Sequence, residues 1–249
     1  MFISIIVRKS LEKLEIFVKQ ALSSEHKEFF HRTGYIELEN VLSPEEVELL
    51  SAEIHSTIKK RRALPSYNLA SISTDIPFLL GHDLYSDSAP IKKIVTKRLF
   101  SETAAELFGC VPLQLAFDQF YPDRTTRPFA PKGIYHLFLE APEVLEEITS
   151  IQGFVGAVII ALNGDSDETE GNSIFPRKPG SVVFIKPQCM LDWSPLFEHQ
   201  EREFLMIGYT QNRSVYRMNT KDPHTHTLKG KGYVFGDLLK EKTHPIVLR

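Results

Sequence analysis

The 249-residue sequence predicts an α+β protein, with helices concentrated in the first half of the chain and strands in the second. Between residues 1 and 109, apolar residues recur at helical spacing, most clearly over 43–62 and 91–108. From Val111 onward the apolar runs are short and are separated by proline, glycine, aspartate and asparagine, which is typical of strands joined by turns. Helices followed by strands favour a helical layer packed against an antiparallel β-sandwich.

The segment 28–54 carries the strongest local signals for where helices begin and end. Gly34 stands where a helix can end in the left-handed conformation. Ser43 is followed directly by a proline and, three residues later, by Glu46, which together predict an N-cap, a proline in the first helical position and a capping box. A short strand is expected between two helices, which cover 10–32 and 43–62.

The rest of the chain is expected to form one domain with this helical layer. Residues 63–90 are rich in proline and predict a loop-rich connection to the helix at 91–108. Three parts are predicted, namely a mainly helical layer (1–109), a β-sandwich core (110–212) and a C-terminal extension (213–249). The predicted strands cover 113–120, 133–139, 154–162, 181–186 and 203–210.

Composition limits the class of protein. The hydrophobic fraction of 42% is typical of a globular domain, and the formal net charge of −3 argues against a protein that coats nucleic acid. Cys110 and Cys189 stand in apolar surroundings without metal-type spacing, which predicts reduced thiols in a cytoplasmic protein. The apolar opening MFISIIV is only seven residues long, too short to span a membrane, so no membrane partner is expected.

Two segments resemble a known family. The pattern of 28–54 and the later sequence 179–210, which begins PGSVVFIKP, are similar to the phytanoyl-CoA hydroxylase-like branch of the Fe(II)/2-oxoglutarate-dependent oxygenases. The resemblance implies a double-stranded β-helix, a cupin-like jelly roll, backed by N-terminal helices. It also implies Fe(II) and 2-oxoglutarate as cofactors if the protein is active, and no cofactor if it is not.

The resemblance further implies an iron site of two histidines and one carboxylate, the first histidine and the carboxylate standing two apart on a strand. His136 matches the first histidine, but Phe138 occupies the carboxylate position and cannot bind a metal. Asp192 stands where the second histidine is expected. Arg202, which precedes an apolar strand, matches the family's arginine that binds the far carboxylate of 2-oxoglutarate. The triad is therefore interpreted as degenerate, with no catalytic residue assigned.

The strand at 113–121 is expected to face the same cavity. Gln119 and Tyr121 are predicted to contact the co-substrate, and Asp118 is a further candidate. Trp193 is interpreted either as a surface that shapes the site or as an ordinary core aromatic.

Three functions remain open. The first is a binding or regulatory protein that keeps the oxygenase fold without a complete iron site, with a small-molecule or anionic ligand. The second is an active dioxygenase with non-standard ligands, His136 and Asp192 with a third such as His199. The third is a divalent-metal-responsive DNA-binding regulator that uses the basic run KKRR at 59–62, interpreted more simply as a solvated helix end. The pair His224 and His226 is interpreted as a surface loop rather than a metal clip. The substrate and the oligomeric state are not visible in the sequence.

Overall fold

The structure is a computed structural model that describes residues 22–63, 76–122, 143–164, 174–192 and 202–249. Helices and strands alternate with short 3₁₀ turns at Leu84–Ser86, Leu145–Ile148 and Thr227–Lys231. The helices are α1 (Ser24–Thr33), α2 (Pro44–Arg62), α3 (Ile76–Leu80), α4 (Ala89–Val95) and α5 (Arg98–Phe108). The strands are β1 (Tyr35–Leu38), β2 (Leu113–Tyr121), β3 (Glu143–Val144), β4 (Ile151–Ala161), β5 (Val182–Ile185), β6 (Met190–Leu191), β7 (Phe204–Tyr216) and β8 (Ile246–Leu248).

The predicted helix boundaries around β1 are confirmed. Gly34 ends α1 with φ 85°, and its backbone N–H donates to the Phe30 carbonyl. The Ser43 hydroxyl accepts a hydrogen bond from the Glu46 backbone N–H, while the Glu46 carboxylate accepts one from the Ser43 N–H at 3.1 Å. Two backbone donors at the start of α2 are thereby satisfied by side chains.

Within the described ranges, six strands form one antiparallel sheet in the order β1-β5-β4-β7-β2-β8, and β3 pairs with β6 in a second, two-stranded sheet. The antiparallel sheet and the helical layer predicted from the sequence are confirmed. β8 lies in the predicted C-terminal extension and pairs with β2 at the edge of the sheet. The predicted strand 133–139 lies outside the described residues.

Alternating side chains divide the core between the two faces of the large sheet. On one face, called the helix-side face, Val158, Ile160 and Leu205 pack with Ile54 of α2 and Phe100 of α5. On the other face, called the cavity-side face, the alternate positions pack against the 3₁₀ turns and the C-terminal segment. That second cluster includes Ala157, Ile159, Phe204, Met206, Leu145, Leu228 and Tyr233.

One prediction of local structure is wrong. The helix expected over 91–108 is interrupted at Lys97, which has the non-helical ψ of 127° and whose ammonium lies 2.8 Å from the Glu46 carboxylate of α2. The described part of the segment predicted as loop-rich contains α3 and a 3₁₀ turn, which are short elements held by tertiary contacts rather than by their own periodicity. Among the described helices, none combines the length and apolar character needed to cross a bilayer.

Candidate functional site

A small cavity lies on the cavity-side face, between the sheet and the segments that cover it. Its volume is about 50 Å³, room for about one or two water molecules. Most of the lining residues are buried, and Ile148, Asp222 and Pro223 are among the half-buried ones. The polar lining residues are His82, Asp83, Gln119, Thr149, Ser150, Asp222, His224 and His244, and the apolar ones include Phe78, Ala116, Phe117, Tyr121, Leu145, Ile151, Met206 and Tyr216.

The loop that carries His82 and Asp83 is fixed by Arg61 from the last turn of α2. The Arg61 guanidinium donates to the backbone carbonyls of Leu80, His82 and Asp83 at 2.6, 2.5 and 2.9 Å, and to the Asp87 carboxylate at 2.7 Å. Only 12% of its side chain is exposed. The interpretation of all four KKRR side chains as solvated is therefore wrong for Arg61, which orders the polar edge of the cavity.

Gln119 of β2 determines which ring nitrogen of His82 carries hydrogen. The Gln119 amide nitrogen donates to the carbonyls of Phe78 and Phe120, at 2.9 and 2.8 Å, so its amide oxygen is left to accept. That oxygen lies 3.2 Å from His82 Nδ1, which must then be the donor. In neutral His82 the hydrogen is on Nδ1, and Nε2 is an acceptor that lies 3.7 Å from Asp83 Oδ1.

Asp83 is buried and has a cation on one side only. Its backbone has the left-handed φ of 53°, a conformation that aspartate tolerates better than most residues. The Lys231 ammonium lies 2.5 Å from Oδ2. Burial by itself would raise the pKa of Asp83, but the electrostatic interactions with His82 and with the Lys231 ammonium outweigh it and hold the pKa below its usual value. Asp83 is therefore a carboxylate at neutral pH.

His82 and His224 stack face to face in the wall of the cavity. Their ring centroids are 4.0 Å apart and the planes differ by 8°. Phe78 stacks on the outer face of His224 at 5.3 Å, and Phe117 on that of His82 at 5.6 Å. Burial, followed by the neighbouring His82, lowers the pKa of His224 well below its usual value, so His224 is neutral.

The segment after β7 is therefore more than the surface loop that the sequence suggested. His226 is exposed, as expected for a surface position, but the prediction is wrong for His224, whose Nε2 is fully buried. The reason is the Asp222 carboxylate, which accepts from the backbone N–H groups of Ser150 and His224 at 2.7 and 2.8 Å and fastens the turn to the start of β4. Burial raises the pKa of Asp222 above its usual value, against these hydrogen bonds, which lower it.

His244 closes the far end of the cavity. Its Nδ1 lies 3.2 Å from the Tyr233 hydroxyl and 3.0 Å from the Thr243 hydroxyl. Burial lowers the pKa of His244 to about 4, so this imidazole is also neutral near pH 7.

Four polar atoms of the lining residues are buried without a hydrogen-bond partner. They are Asp83 Oδ1, Ser150 Oγ, His224 Nε2 and His244 Nε2. A buried polar atom without a partner costs on the order of 1–3 kcal/mol, so such atoms usually indicate a bound molecule or ordered water. Four of them around one cavity make it the strongest candidate for a ligand site among the described residues.

The sequence-predicted site residues are only partly brought together. Gln119 and Tyr121 line the cavity, because a bulge in β2 between Leu115 and Phe117 shifts the alternation of side chains. Asp118 lies on the opposite face and accepts from the backbone N–H groups of Leu84 and Tyr85, both at 2.9 Å. The expectation that Asp118 would share the cavity is wrong, since neighbouring residues of a strand point to opposite faces.

Arg202 and Asp192 lie away from the cavity lining. The Arg202 guanidinium donates to the Pro176 carbonyl at 2.5 Å and lies 5.1 Å from the centroid of the Phe204 ring, just before β7. Asp192 follows β6 and is exposed. The other residues discussed for this site, His136, Trp193 and His199, lie outside the described residues.

Two positions of the iron triad implied by the sequence resemblance, 136 and 138, lie outside the described residues. Among the described residues, no group of three histidine, cysteine, aspartate or glutamate side chains is arranged to hold a metal ion. The stacked rings of His82 and His224 are nearly parallel, so their in-plane nitrogen lone pairs do not converge on one point.

Sequence reasoning missed His82, Asp83, Asp222 and His244 as site residues. No short motif joins them, and positions 82 and 244 are separated by most of the chain. The pair His82-Asp83, two polar residues in a predicted loop, was the one local signal that pointed to them.

No family model matches the chain, and no curated protein matches it in sequence. Solved structures do match. The non-haem α-ketoglutarate-dependent carbocyclase SnoK from nogalamycin biosynthesis has a TM-score of 0.62 at 15% identity, covering 91% of this chain and 97% of that chain. The non-haem α-ketoglutarate-dependent epimerase SnoN has a TM-score of 0.57 at 16% identity, covering 90% and 97%. CytC3 with Fe(II) and α-ketoglutarate has a TM-score of 0.51 at 16% identity, covering 78% and 79%. At such low identity these similarities concern the fold, and the chain has the fold of iron- and α-ketoglutarate-dependent enzymes.

Proposed function

We propose that the protein is a small-molecule-binding relative of the Fe(II)/2-oxoglutarate-dependent oxygenases, with its ligand in the cavity beside His82 and His224. The observation that carries this proposal is the set of unpartnered buried atoms, Asp83 Oδ1, Ser150 Oγ, His224 Nε2 and His244 Nε2. Binding sites of this kind combine an apolar lining with a few convergent polar groups, which is the composition of this cavity.

The proposal includes a non-catalytic role, because the iron site is incomplete in sequence. Phe138 replaces the carboxylate two residues after His136, and the exposed Asp192 stands at the position of the second histidine. We place the protein nearest to the phytanoyl-CoA hydroxylase-like branch on the motifs at 28–54 and 179–210. In this proposal the β3–β6 pair belongs to the second sheet of a double-stranded β-helix.

A second candidate is an active dioxygenase with non-standard ligands, His136 and Asp192 with His199. The fold favours it, since SnoN in complex with Fe³⁺ and α-ketoglutarate has a TM-score of 0.58 to this chain. Arg202 would bind the far carboxylate of 2-oxoglutarate in this case, as a planar donor suited to carboxylates.

Anaerobic titration separates the two candidates. Purified protein is titrated with Fe(II) and 2-oxoglutarate, following metal-to-ligand absorbance and heat, for the wild type and for His136→Ala and Arg202→Ala. The non-catalytic proposal predicts no tight iron binding and no 2-oxoglutarate turnover in any of the three. Tight binding of both, lost in both variants, would overturn it in favour of the dioxygenase.

Matched surface variants control for non-specific effects. His226→Ala removes an exposed histidine, and Arg98→Ala removes an arginine whose side chain is 83% exposed. Iron binding that falls equally in His136→Ala and His226→Ala would be adventitious, and it would leave the non-catalytic proposal standing.

The DNA-binding hypothesis has less support. Arg61 of the KKRR run is directed inward to backbone carbonyls, so fewer basic side chains remain to contact phosphates. Retarded migration of duplex DNA with affinity that falls steeply with salt would favour it over the binding-protein proposal.

A further inference from the structure

The cavity also indicates which ligand chemistry it accepts. Asp83 Oδ1 and His82 Nε2 lie 3.7 Å apart, and both are acceptors when His82 carries its hydrogen on Nδ1. One atom placed between them must offer a hydrogen to each. A hydroxyl group has only one hydrogen and cannot do so, whereas a primary amine, as the ammonium, has three.

Charge leads to the same ligand class. Asp83 and Asp222 both line the cavity, and the nearest cation, Lys231, is engaged by the far oxygen of Asp83. His224 and His244 are neutral imidazoles, so they do not offset a second negative charge. A carboxylate ligand placed against Asp83 Oδ1 would be repelled, while an ammonium would be attracted.

The size and lining limit the rest of the ligand. The cavity volume of about 50 Å³ limits the enclosed part of a ligand to a few non-hydrogen atoms. Beyond the polar edge the walls are Ala116, Ile151 and Met206 from three neighbouring strands, with Leu145 opposite. A short alkyl chain suits these walls, because it buries apolar surface without needing further hydrogen bonds.

We propose that the cavity binds a short primary amine, with its ammonium bridging Asp83 Oδ1 and His82 Nε2 and its alkyl part against Ala116, Ile151 and Met206. This inference rests on the proposed binding function and adds the class of ligand. It is independent of Arg202, which lies outside the cavity lining and is suited to anions.

Three probes with the same three-carbon chain test the proposal, namely propylamine, 1-propanol and propionate, each with the full-length protein at pH 7.5. Binding is followed by NMR through the backbone amides of residues 82–84 and the imidazole signals of His82 and His224. A ligand of this size is expected to bind with a Kd on the order of 1 mM, so the titration extends to tens of millimolar. Propylamine should shift these signals to saturation, and the other two should bind at least about tenfold more weakly.

Two variants locate the ammonium. Asp83→Asn keeps the shape and the left-handed backbone but removes the charge, and it should weaken propylamine binding about tenfold or more. Lys231→Met removes the cation that competes for Asp83 and should tighten propylamine binding. Glu241→Gln makes the same charge change as Asp83→Asn at a site 56% exposed and should leave binding unchanged. If Asp83→Asn does not fold, Lys231→Met still tests the proposal, because tighter propylamine binding in that variant is expected only if the ammonium lies at Asp83.

The outcomes separate this inference from the binding function. Saturable shifts with 1-propanol or propionate, but not with propylamine, would overturn the amine and leave a binding cavity in place. Propylamine shifts that are unchanged in Asp83→Asn and Lys231→Met would place the amine elsewhere and also overturn it. No shift with any probe would indicate a cavity that holds only water, and both proposals would fail.

Discussion

Replacing Arg61 with lysine should destabilise the protein even though the charge is kept. The guanidinium donates four hydrogen bonds to three carbonyls and one carboxylate, all between 2.5 and 2.9 Å. A lysine ammonium is a single point on a flexible stem and can reach two of the four acceptors at most. The Arg61→Lys variant therefore leaves at least two of these acceptors, including at least one backbone carbonyl of the loop 80–83, without this donor.

The expected loss follows from the value of a hydrogen bond to a charged group, about 1.5–3 kcal/mol when partly buried. Two hydrogen bonds are lost, and water replaces them in part because the loop is near the surface. The free energy of unfolding should therefore fall by about 2–4 kcal/mol. Arg62→Lys, one position further along α2 at an exposed site, is the matched control and should change stability by less than about 0.5 kcal/mol.

Chemical denaturation measures the difference, with the midpoint and slope determined for the wild type and both variants. The Arg61→Lys variant should also bind propylamine more weakly, because the same loop presents His82 and Asp83 to the cavity. A loss of stability no larger than that of Arg62→Lys would refute the assignment of Arg61 as the residue that orders this loop.

Three further predictions concern the rest of the fold. Ser43→Ala removes the N-cap of α2 and should cost about 1 kcal/mol in chemical denaturation. Gly156→Ala should cost about 3 kcal/mol or more, since its Cβ would lie 2.6 Å from the Ile185 carbonyl oxygen and 2.7 Å from a ring. Burial, followed by the charge of Asp83, raises the pKa of Asp118 to about 7. Between about pH 4 and 7, Asp118 is protonated in the folded state and ionised in the unfolded state. Its contribution to the free energy of unfolding should therefore fall as the pH rises through this range.

Each of these has its own control. Gly109→Ala, at φ 64° with no atom within 4 Å of the added Cβ, should cost only the left-handed penalty of about 1–2 kcal/mol. An equal loss of stability in both glycine variants would contradict the close contact of Gly156 in β4 with the Ile185 carbonyl oxygen. The Asp118 effect is measured as the difference between wild type and Asp118→Asn, because His244, with its pKa of about 4, changes stability in the opposite direction over this range. A difference that is constant with pH would contradict the raised pKa of Asp118. An unchanged free energy of unfolding in Ser43→Ala would contradict the cap.

Local signals in the sequence were sufficient for the elements they describe. Gly34 and Ser43 determined the end of α1 and the start of α2, because each acts on backbone groups within a few residues. The buried strands β4, β5 and β7 were recognisable as apolar runs of strand length. The break at Lys97 was not recognisable, since its ammonium meets a carboxylate on another helix, and no local pattern reports such a contact.

The sequence by itself determined the order of helices and strands and the antiparallel sheet, because periodicity and capping act over one turn or one strand. The tertiary structure alone decided the cavity. His82, Asp83, Asp222 and His244 come from three separate loops and line one cavity. Arg61 holds the first of these loops against α2, and Asp222 fastens the second to the start of β4. Such contacts join side chains that are distant in sequence, so the spacing of residues along the chain does not predict them.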